Sequence, residues 1–175
     1  MKQYVTHYPS PWGDITLSSD GDSITGLWFE GQKFFGSTLC SGWLENDDIP
    51  LFHQTKEWLR LYFGGHGPGA IPPVRLIGTP FRLSVWHLLL EIPYGTVCTY
   101  GDIARRLAHR RGMTRLSAQA VGSAVAHNPI SILVPCHRVV GAGGKLGGYA
   151  GGLPRKISLL EGEGSIGLIR EKLPF

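Results

Sequence analysis

Ten residues near the middle of the chain, Gly64 to Pro73 (Gly-Gly-His-Gly-Pro-Gly-Ala-Ile-Pro-Pro), constrain the fold more than any other stretch. Seven of the ten are glycine or proline, which sustain neither a helix nor a strand, so they read as a linker with a different kind of structure on each side. Upstream, Tyr4 to Tyr8, Ile15 to Ser18 and Ile24 to Phe29 are short β-branched and aromatic runs. Pro-Ser-Pro-Trp-Gly and Ser-Asp-Gly-Asp turns separate them, so they predict a small antiparallel sheet. Leu51, Thr55, Trp58, Leu59 and Tyr62 then recur at helical spacing and predict an amphipathic helix over 51–63 that covers one face of that sheet.

Downstream the signals are helical. Thr79-Pro80 is a cap residue followed by proline at the first helical position, opening a helix through Val85, Leu88 and Leu89 that ends at Ile92-Pro93-Tyr94-Gly95. Thr99, three residues before Asp102, makes a capping box with Asp in place of Glu for a helix carrying Ile103, Ala104 and Leu107. His109 to Arg115 is too basic, and too glycine-interrupted, to continue it. Ser117 caps a further small-residue helix, Ala-Gln-Ala-Val-Gly-Ser-Ala-Val-Ala-His, which Asn128-Pro129 stops. Two short helices joined by a turn predict a helix-turn-helix. Ile130 to Val134 reads as a buried extended segment leading into Pro135-Cys136-His137-Arg138. Residues 141–152 hold seven glycines in twelve, a loop whose backbone can approach a ligand closely. A last helix runs from Pro154 to about Leu160.

The expected class is therefore α/β in the α+β sense. An N-terminal domain (1–73, including the linker 64–73) carries the small sheet and one helix. A mostly helical, winged-helix-like domain (74–175) carries the helix-turn-helix. At 175 residues and 42% hydrophobic side chains the chain can bury a core in each. No apolar run approaches the roughly 18 to 20 residues that span a bilayer, and the N-terminus lacks a signal-peptide apolar stretch, so the expectation is a soluble intracellular protein. Three cysteines, Cys40, Cys98 and Cys136, without Cys-x-x-Cys spacing, argue against a disulfide framework and against a cysteine-based zinc site. Charge is uneven: residues 1–99 carry a net −3 and residues 100–156 a net +8, so a polyanion would bind the second half.

Cys136 is the candidate nucleophile. It follows an apolar segment, stands beside His137 and Arg138, and lies in the basic half, where positive charge would favour a thiolate. A cysteine-histidine pair alone is equally compatible with a small buried residue. Its surroundings are more specific: Asn128-Pro-Ile-Ser-Ile-Leu-Val-Pro-Cys-His-Arg-Val-Val140, then Gly147-Gly-Tyr-Ala-Gly-Gly152, after a helix-turn-helix. Over roughly residues 80–164 the chain resembles the O6-alkylguanine-DNA alkyltransferases, and its N-terminal part matches that family in layout.

The resemblance implies a DNA repair protein. Cys136 would attack the alkyl carbon of O6-alkylguanine, with O4-alkylthymine as a second substrate, and keep the alkyl group as a thioether, once per molecule. It implies His137 as the base that takes the thiol proton through a water, Glu163 (rather than Glu161) as the residue orienting it, and Tyr100 as leaving-group help on the purine. The backbones of Val139 and Ala150 would contact guanine O6, Tyr149 would wall the alkyl pocket, and Asn128 would hold the turn between recognition helix and active-site segment. A modified base must leave the stack to reach a buried cysteine. The resemblance therefore implies double-stranded DNA as the partner, entered from the minor groove without sequence preference by the helix carrying Ala118, Gln119, Ala120 and Gly122. Arg115 and Arg138 are further DNA-binding candidates, and Arg105, Arg106, Arg110 and Arg111 could neutralise phosphates. Gln119 departs from the family pattern, because many members carry an arginine finger there.

The expectation is also a monomer with no cofactor, cytoplasmic or nucleoid-associated, or nuclear in a eukaryote; the cysteine and histidine zinc ligands that some relatives carry in the N-terminal domain have no counterpart here, so no structural metal is expected. Two other classes share parts of this pattern. A cysteine hydrolase would use Cys136, His137 and Glu163 with multiple turnover. An alkylated-DNA sensor would bind the lesion and leave it in place.

Overall fold

A computed structural model describes residues 1–169; the last six residues of the expected second domain lie outside the described residues. The chain is mixed α+β and divides into two compact units, residues 1–77 with Pro129–Leu133, and Gly78–Asn128 with the chain from Val134 onward. Among the described residues no helix is long and apolar enough to cross a membrane.

The first unit is built on a four-stranded sheet in the order β3-β2-β1-β4, formed by β1 (Tyr4–Ser10), β2 (Gly13–Ser19), β3 (Ile24–Phe29) and β4 (Leu44–Glu45). β1 pairs β2 and β2 pairs β3 antiparallel, whereas β4 pairs β1 in parallel. The Asp20 carboxylate accepts from the backbone N–H groups of Asp22 and Ser23, which shapes the β2–β3 turn. α1 (Pro50–Phe63) buries Leu51, Thr55, Trp58, Leu59 and Tyr62, the expected apolar stripe, and Phe52 beside it. β4 escaped the sequence reading because two residues carry no periodicity.

β3 is buried along its whole length, and its outer edge is not left bare. Ile24 donates to Pro73 O and Arg75 to Ile24 O, both at 2.8 Å. Further along, Leu27 donates to Pro129 O and Ser131 donates back to Leu27 O, both at 2.9 Å. The sequence reading placed 74–77 and 129–133 with the second domain; these main-chain bonds, which satisfy a sheet edge, place both stretches in the first unit. Nor is 130–134 a plain strand. Leu133 donates to Ser131 O at 2.8 Å around Ile132, whose φ of 69° is the left-handed region a β-branched residue rarely enters.

The second unit packs α2 (Pro80–Leu89), α3 (Tyr100–Arg110) and α4 (Ala118–Ala126) together, with α5 (Leu153–Gly162) following the glycine loop. Each cap read from the sequence is formed: the Thr79 side chain accepts from Arg82, Thr99 and Asp102 close the capping box, and Ser117 accepts from Ala120. The buried Trp86 indole donates to Ala124 O at 2.8 Å, fixing α2 against α4. α3 runs two residues further than expected, through His109 and Arg110, because Glu91 receives both Arg106 and Arg110 and relieves the crowding of positive charge. A two-stranded parallel pairing of β5 (Cys98–Thr99) with β6 (Val139–Val140), also unread from the sequence, sets the start of α3 beside the end of the active-site turn.

Candidate active site

Cys136 opens a single turn of 3-10 helix, Cys136–Arg138, entered through Pro135 at φ −82° and ψ 63°. Two bonds fix that entry. Cys136 N–H donates to Val134 O at 2.8 Å, a tight three-residue turn, and Asn128 Nδ2 donates to the same carbonyl at 2.8 Å. Asn128, two residues past the end of α4, thus ties that helix to the residue two before the cysteine. Its side chain also hydrogen-bonds the thiol.

The turn sends its next two side chains onto one carboxylate. His137 Nε2 lies 2.6 Å from Glu163 Oε1 with both side chains inaccessible to solvent. Arg138 donates to Glu163 through Nε (2.8 Å) and Nη2 (2.9 Å), and through Nη1 to Ile92 O at 2.8 Å. Its guanidinium also lies 5.6 Å from the centroid of the Tyr94 ring. This overturns the DNA-binding assignment of Arg138. The side chain is buried and its donors are aimed at Glu163 and a main-chain carbonyl, because a buried carboxylate shared with a neutral histidine needs a cation.

The electrostatics follow from that cluster. Burial alone would raise the Glu163 carboxyl, but hydrogen bonds and charge from His137 and Arg138 outweigh it and hold it at about 2. Burial lowers His137, only partly opposed by Glu163, so the ring is neutral at pH 7. With Glu163 ionised, Nε2 must carry the ring proton and Nδ1 is the basic nitrogen. Cys136 corrects a second expectation. Burial pushes its thiol up, while the Asn128 hydrogen bond and the charge of Lys156 oppose that shift without cancelling it. Counting basic residues along the chain missed the desolvation that the fold imposes.

Tyr100, the first residue of α3, is buried enough that its hydroxyl is pushed up to about 12, with the Cys136 charge adding to the effect. Its ring is held between two glycines. A side-chain carbon at Gly147 would lie 3.3 Å from both Tyr100 Oη and ring Cε2, and one at Gly122 would lie 3.7 Å from ring Cδ1. Gly122, expected on the DNA face, therefore also backs Tyr100. Tyr149 and Ala150 lie in the loop after Gly147 with intermediate exposure, and Tyr149 O accepts from Gly152 N–H in the turn that leads to α5.

Lys156 is the site residue the sequence reading missed. In the first turn of α5 it is fully buried and donates to Val139 O at 2.7 Å and Gly148 O at 3.0 Å. The signal existed: Lys156 precedes Leu159 and Leu160 by three and four residues, which puts it on the helix face they bury.

Ala118, Gln119, Ala120 and Arg115 are exposed along α4 and the connection before it. That connection and α3 line a groove of about 820 Å³ that includes Ala104, Arg105, His109, Met113 and Arg115. Of the arginines suggested for phosphate contact, Arg105 pairs with Asp102, Arg106 and Arg110 pair with Glu91, and Arg111 bonds Ser84 and stacks near Phe81. Among the described residues Arg115 makes no ion pair.

Comparison with known proteins covers the same ground. Residues 80–165 match the family described as 6-O-methylguanine DNA methyltransferase, DNA binding domain, and residues 3–68 match its ribonuclease-like domain. A methylated-DNA–protein-cysteine methyltransferase of Haemophilus influenzae is 38% identical over 173 residues, 98% of this chain and 88% of the relative. One of Methanosarcina acetivorans is 40% identical over 163 residues, 93% of this chain and 99% of the relative. The crystal structure of Mycobacterium tuberculosis O6-methylguanine methyltransferase superposes with a TM-score of 0.80 at 40% identity, covering 93% of each chain. With both domain families and relatives near 40% identity spanning almost its whole length, the chain belongs to the 6-O-methylguanine DNA methyltransferase family.

Proposed function

We propose that this chain repairs alkylated duplex DNA by moving the alkyl group of O6-alkylguanine, and of O4-alkylthymine, onto Cys136 in a single irreversible turnover. The observation that carries the reading is the turn Cys136–Arg138, which presents a buried thiol one residue before a histidine locked onto an ionised glutamate. DNA as the partner is supported by the structure of Mycobacterium tuberculosis OGT in complex with DNA, which matches this chain at a TM-score of 0.80 and 37% identity over 95% of its length. Double-stranded DNA would be engaged through the minor groove by α4, without sequence preference and by a monomer. Ala118, Gln119, Ala120 and Gly122 would face the groove and Arg115 a phosphate.

The chemistry balances without a cofactor. Neutral His137 takes the thiol proton at Nδ1 across a bridging water, and Glu163 and Arg138 keep the ring oriented. The Cys136 sulfur then forms a bond to the alkyl carbon as the carbon–O6 bond breaks and O6 keeps the electron pair. Tyr100, protonated at neutral pH, donates a hydrogen bond to the departing purine. Val139 and Ala150 would contact O6 through their backbones, and Tyr149 would line the alkyl pocket. The proton that left the thiol ends on guanine. The thioether is a poor leaving group, so the protein is consumed.

The test is intact-protein mass spectrometry with peptide mapping after mixing with excess duplex containing O6-methylguanine. One methyl increment per molecule, on Cys136 and absent from Cys136→Ala, is the expected result. An intact lesion on a bound duplex would replace this reading with that of a damage sensor, and repeated turnover with that of a hydrolase. A second expectation concerns Gln119, which brings no charge to the site where many relatives carry arginine. Gln119→Arg should bind duplex DNA about fivefold more tightly, roughly the 1 kcal/mol of a charge-assisted bond. Equal affinities in a fluorescence-anisotropy titration would refute it.

A further inference from the structure

The chain on its way to Cys136 makes two tight three-residue turns of opposite hand. The second, in which Cys136 N–H donates to Val134 O, is centred on Pro135 at φ −82° and ψ 63°, the common form that a proline ring favours. The first, in which Leu133 N–H donates to Ser131 O, is centred on Ile132 at φ 69°, the rare and strained form. Glycine would make that turn freely, whereas a β-branched residue holds it only where its surroundings leave no alternative. Burial does not account for the strain, because Ile130 in the same segment is buried as completely without a positive φ. Released, Ile132 would fall back to the extended region and swing the residues after it, Cys136 among them.

The turn is clamped at each end. After it, Val134 O accepts from Asn128. Before it, the clamp belongs to the sheet: Pro129–Leu133 is part of the first unit, where Leu27 N–H donates to Pro129 O and Ser131 N–H donates to Leu27 O. The buried Ser131 hydroxyl also donates to Gln32 Oε1, a long bond of 3.4 Å. That oxygen is set in place by Phe29 N–H, which donates to it at 2.9 Å from the last residue of β3. One buried amide oxygen therefore joins the end of the strand to the segment that carries the strained turn.

We infer that the outer edge of β3 is part of the apparatus for alkyl transfer, with Gln32 and Ile132 as positioning residues: the sheet holds Ile132 in its left-handed turn and so fixes where the backbone delivers Cys136. The inference rests on reading Cys136 as the nucleophile. Misplacing a nucleophile slows the chemical step rather than weakening binding. Gln32→Met removes the shared acceptor, whereas Gln32→Glu keeps it and gives up only the donation to Lys33 O. In single-turnover kinetics with O6-methylguanine duplex, Gln32→Met should lower the saturating rate about tenfold and leave the half-saturating DNA concentration unchanged. Gln32→Glu should recover most of that loss. A merely structural edge would lower the melting temperature of Gln32→Met yet leave the saturating rate of the folded chain at the wild-type value. That result overturns the inference, as does a change confined to DNA affinity.

Hydrogen exchange on the unaltered chain guards against variants that do not fold, and it needs no DNA. Leu27, Ser131, Leu133 and Cys136 each donate a main-chain bond along this path, so their amides should open as one unit with one urea dependence. Cys136 opening while Leu27 and Ser131 stay protected overturns the proposal. Concerted opening in a chain that never accepts a methyl group would sink the repair reading and leave the coupling of sheet to cysteine standing.

Discussion

Glu163→Gln is expected to lose about 3 kcal/mol of folding stability at pH 7 and at least a hundredfold in the rate of methyl transfer. The stability loss arises because Arg138, buried with two donors on this carboxylate, is left as an uncompensated cation. The rate loss arises because the His137 ring loses the anion that fixes its tautomer and orientation. The stability difference should also depend on pH in a definite direction. Glu163 is held at about 2 against an ordinary value of 4.5, so the folded chain binds this proton more weakly than the unfolded chain does. The stabilisation, roughly 3 kcal/mol by the shift, is complete above about pH 4.5 and fades as pH falls toward 2. Urea unfolding of wild type and variant from pH 7 to 3.5 should show the gap constant at first, then narrowing below about 4.5. A gap that stayed flat to the acid end would mean that the carboxylate's charge contributes nothing to stability.

Gly147→Ala should slow methyl transfer ten- to a hundredfold while leaving the chain folded and DNA affinity near that of wild type. Two effects coincide at this position. Gly147 has φ 71°, a conformation that costs an L-residue about 1 kcal/mol, and the added carbon would stand 3.3 Å from the Tyr100 hydroxyl. Either the ring or the loop must yield by a few tenths of an ångström, and in its proposed role of assisting the departing purine the hydroxyl would tolerate such displacement poorly. The opposite side of the ring is more forgiving, because a carbon at Gly122 would meet it at 3.7 Å, an ordinary contact. Single-turnover kinetics with O6-methylguanine duplex, together with a thermal melt, decide the matter. An unchanged rate would show that Tyr100 is not held by this contact.

Much of the fold could be read from local chemistry. Thr79-Pro80, Thr99 with Asp102, and Ser117 announce three helix starts because a cap is made within four residues, so its signal is contained in the sequence around it. β4, β5 and β6 could not be read, since two-residue strands have no period and Cys98 finds its partner Val139 some forty residues away. The left-handed turn at Ile132 contradicts the preference of its own side chain and exists because Ser131 is held by Leu27. The misreadings at the site have one cause. Positive charge along the chain points Arg138 to DNA and the Cys136 thiol to a thiolate and does not mark Lys156 at all, but the behaviour of all three is decided by burial, which comes from residues distant in sequence: Glu163 for the arginine, Val139 and Gly148 for the lysine. Motif spacing selected Glu163 over Glu161 correctly as the histidine's partner, whereas nothing in the motif marked Arg138 as a second claimant on that carboxylate.

The pairing of Leu27 with Pro129 and Ser131 carries a consequence for the order of events during synthesis. When the ribosome has made the first 77 residues, the outer edge of β3 near Leu27 still lacks the stretch that covers it, which is about fifty residues from being made. During that interval the β3 edge of the sheet offers an unpaired amide and carbonyl to any extended chain nearby. The segment that finally covers this edge ends three residues before Cys136, so the sheet's last strand partner and the proposed nucleophile emerge almost together. A nascent chain truncated before residue 129 should therefore depend on chaperones and be degraded quickly, whereas one extended beyond the end of α5 should not.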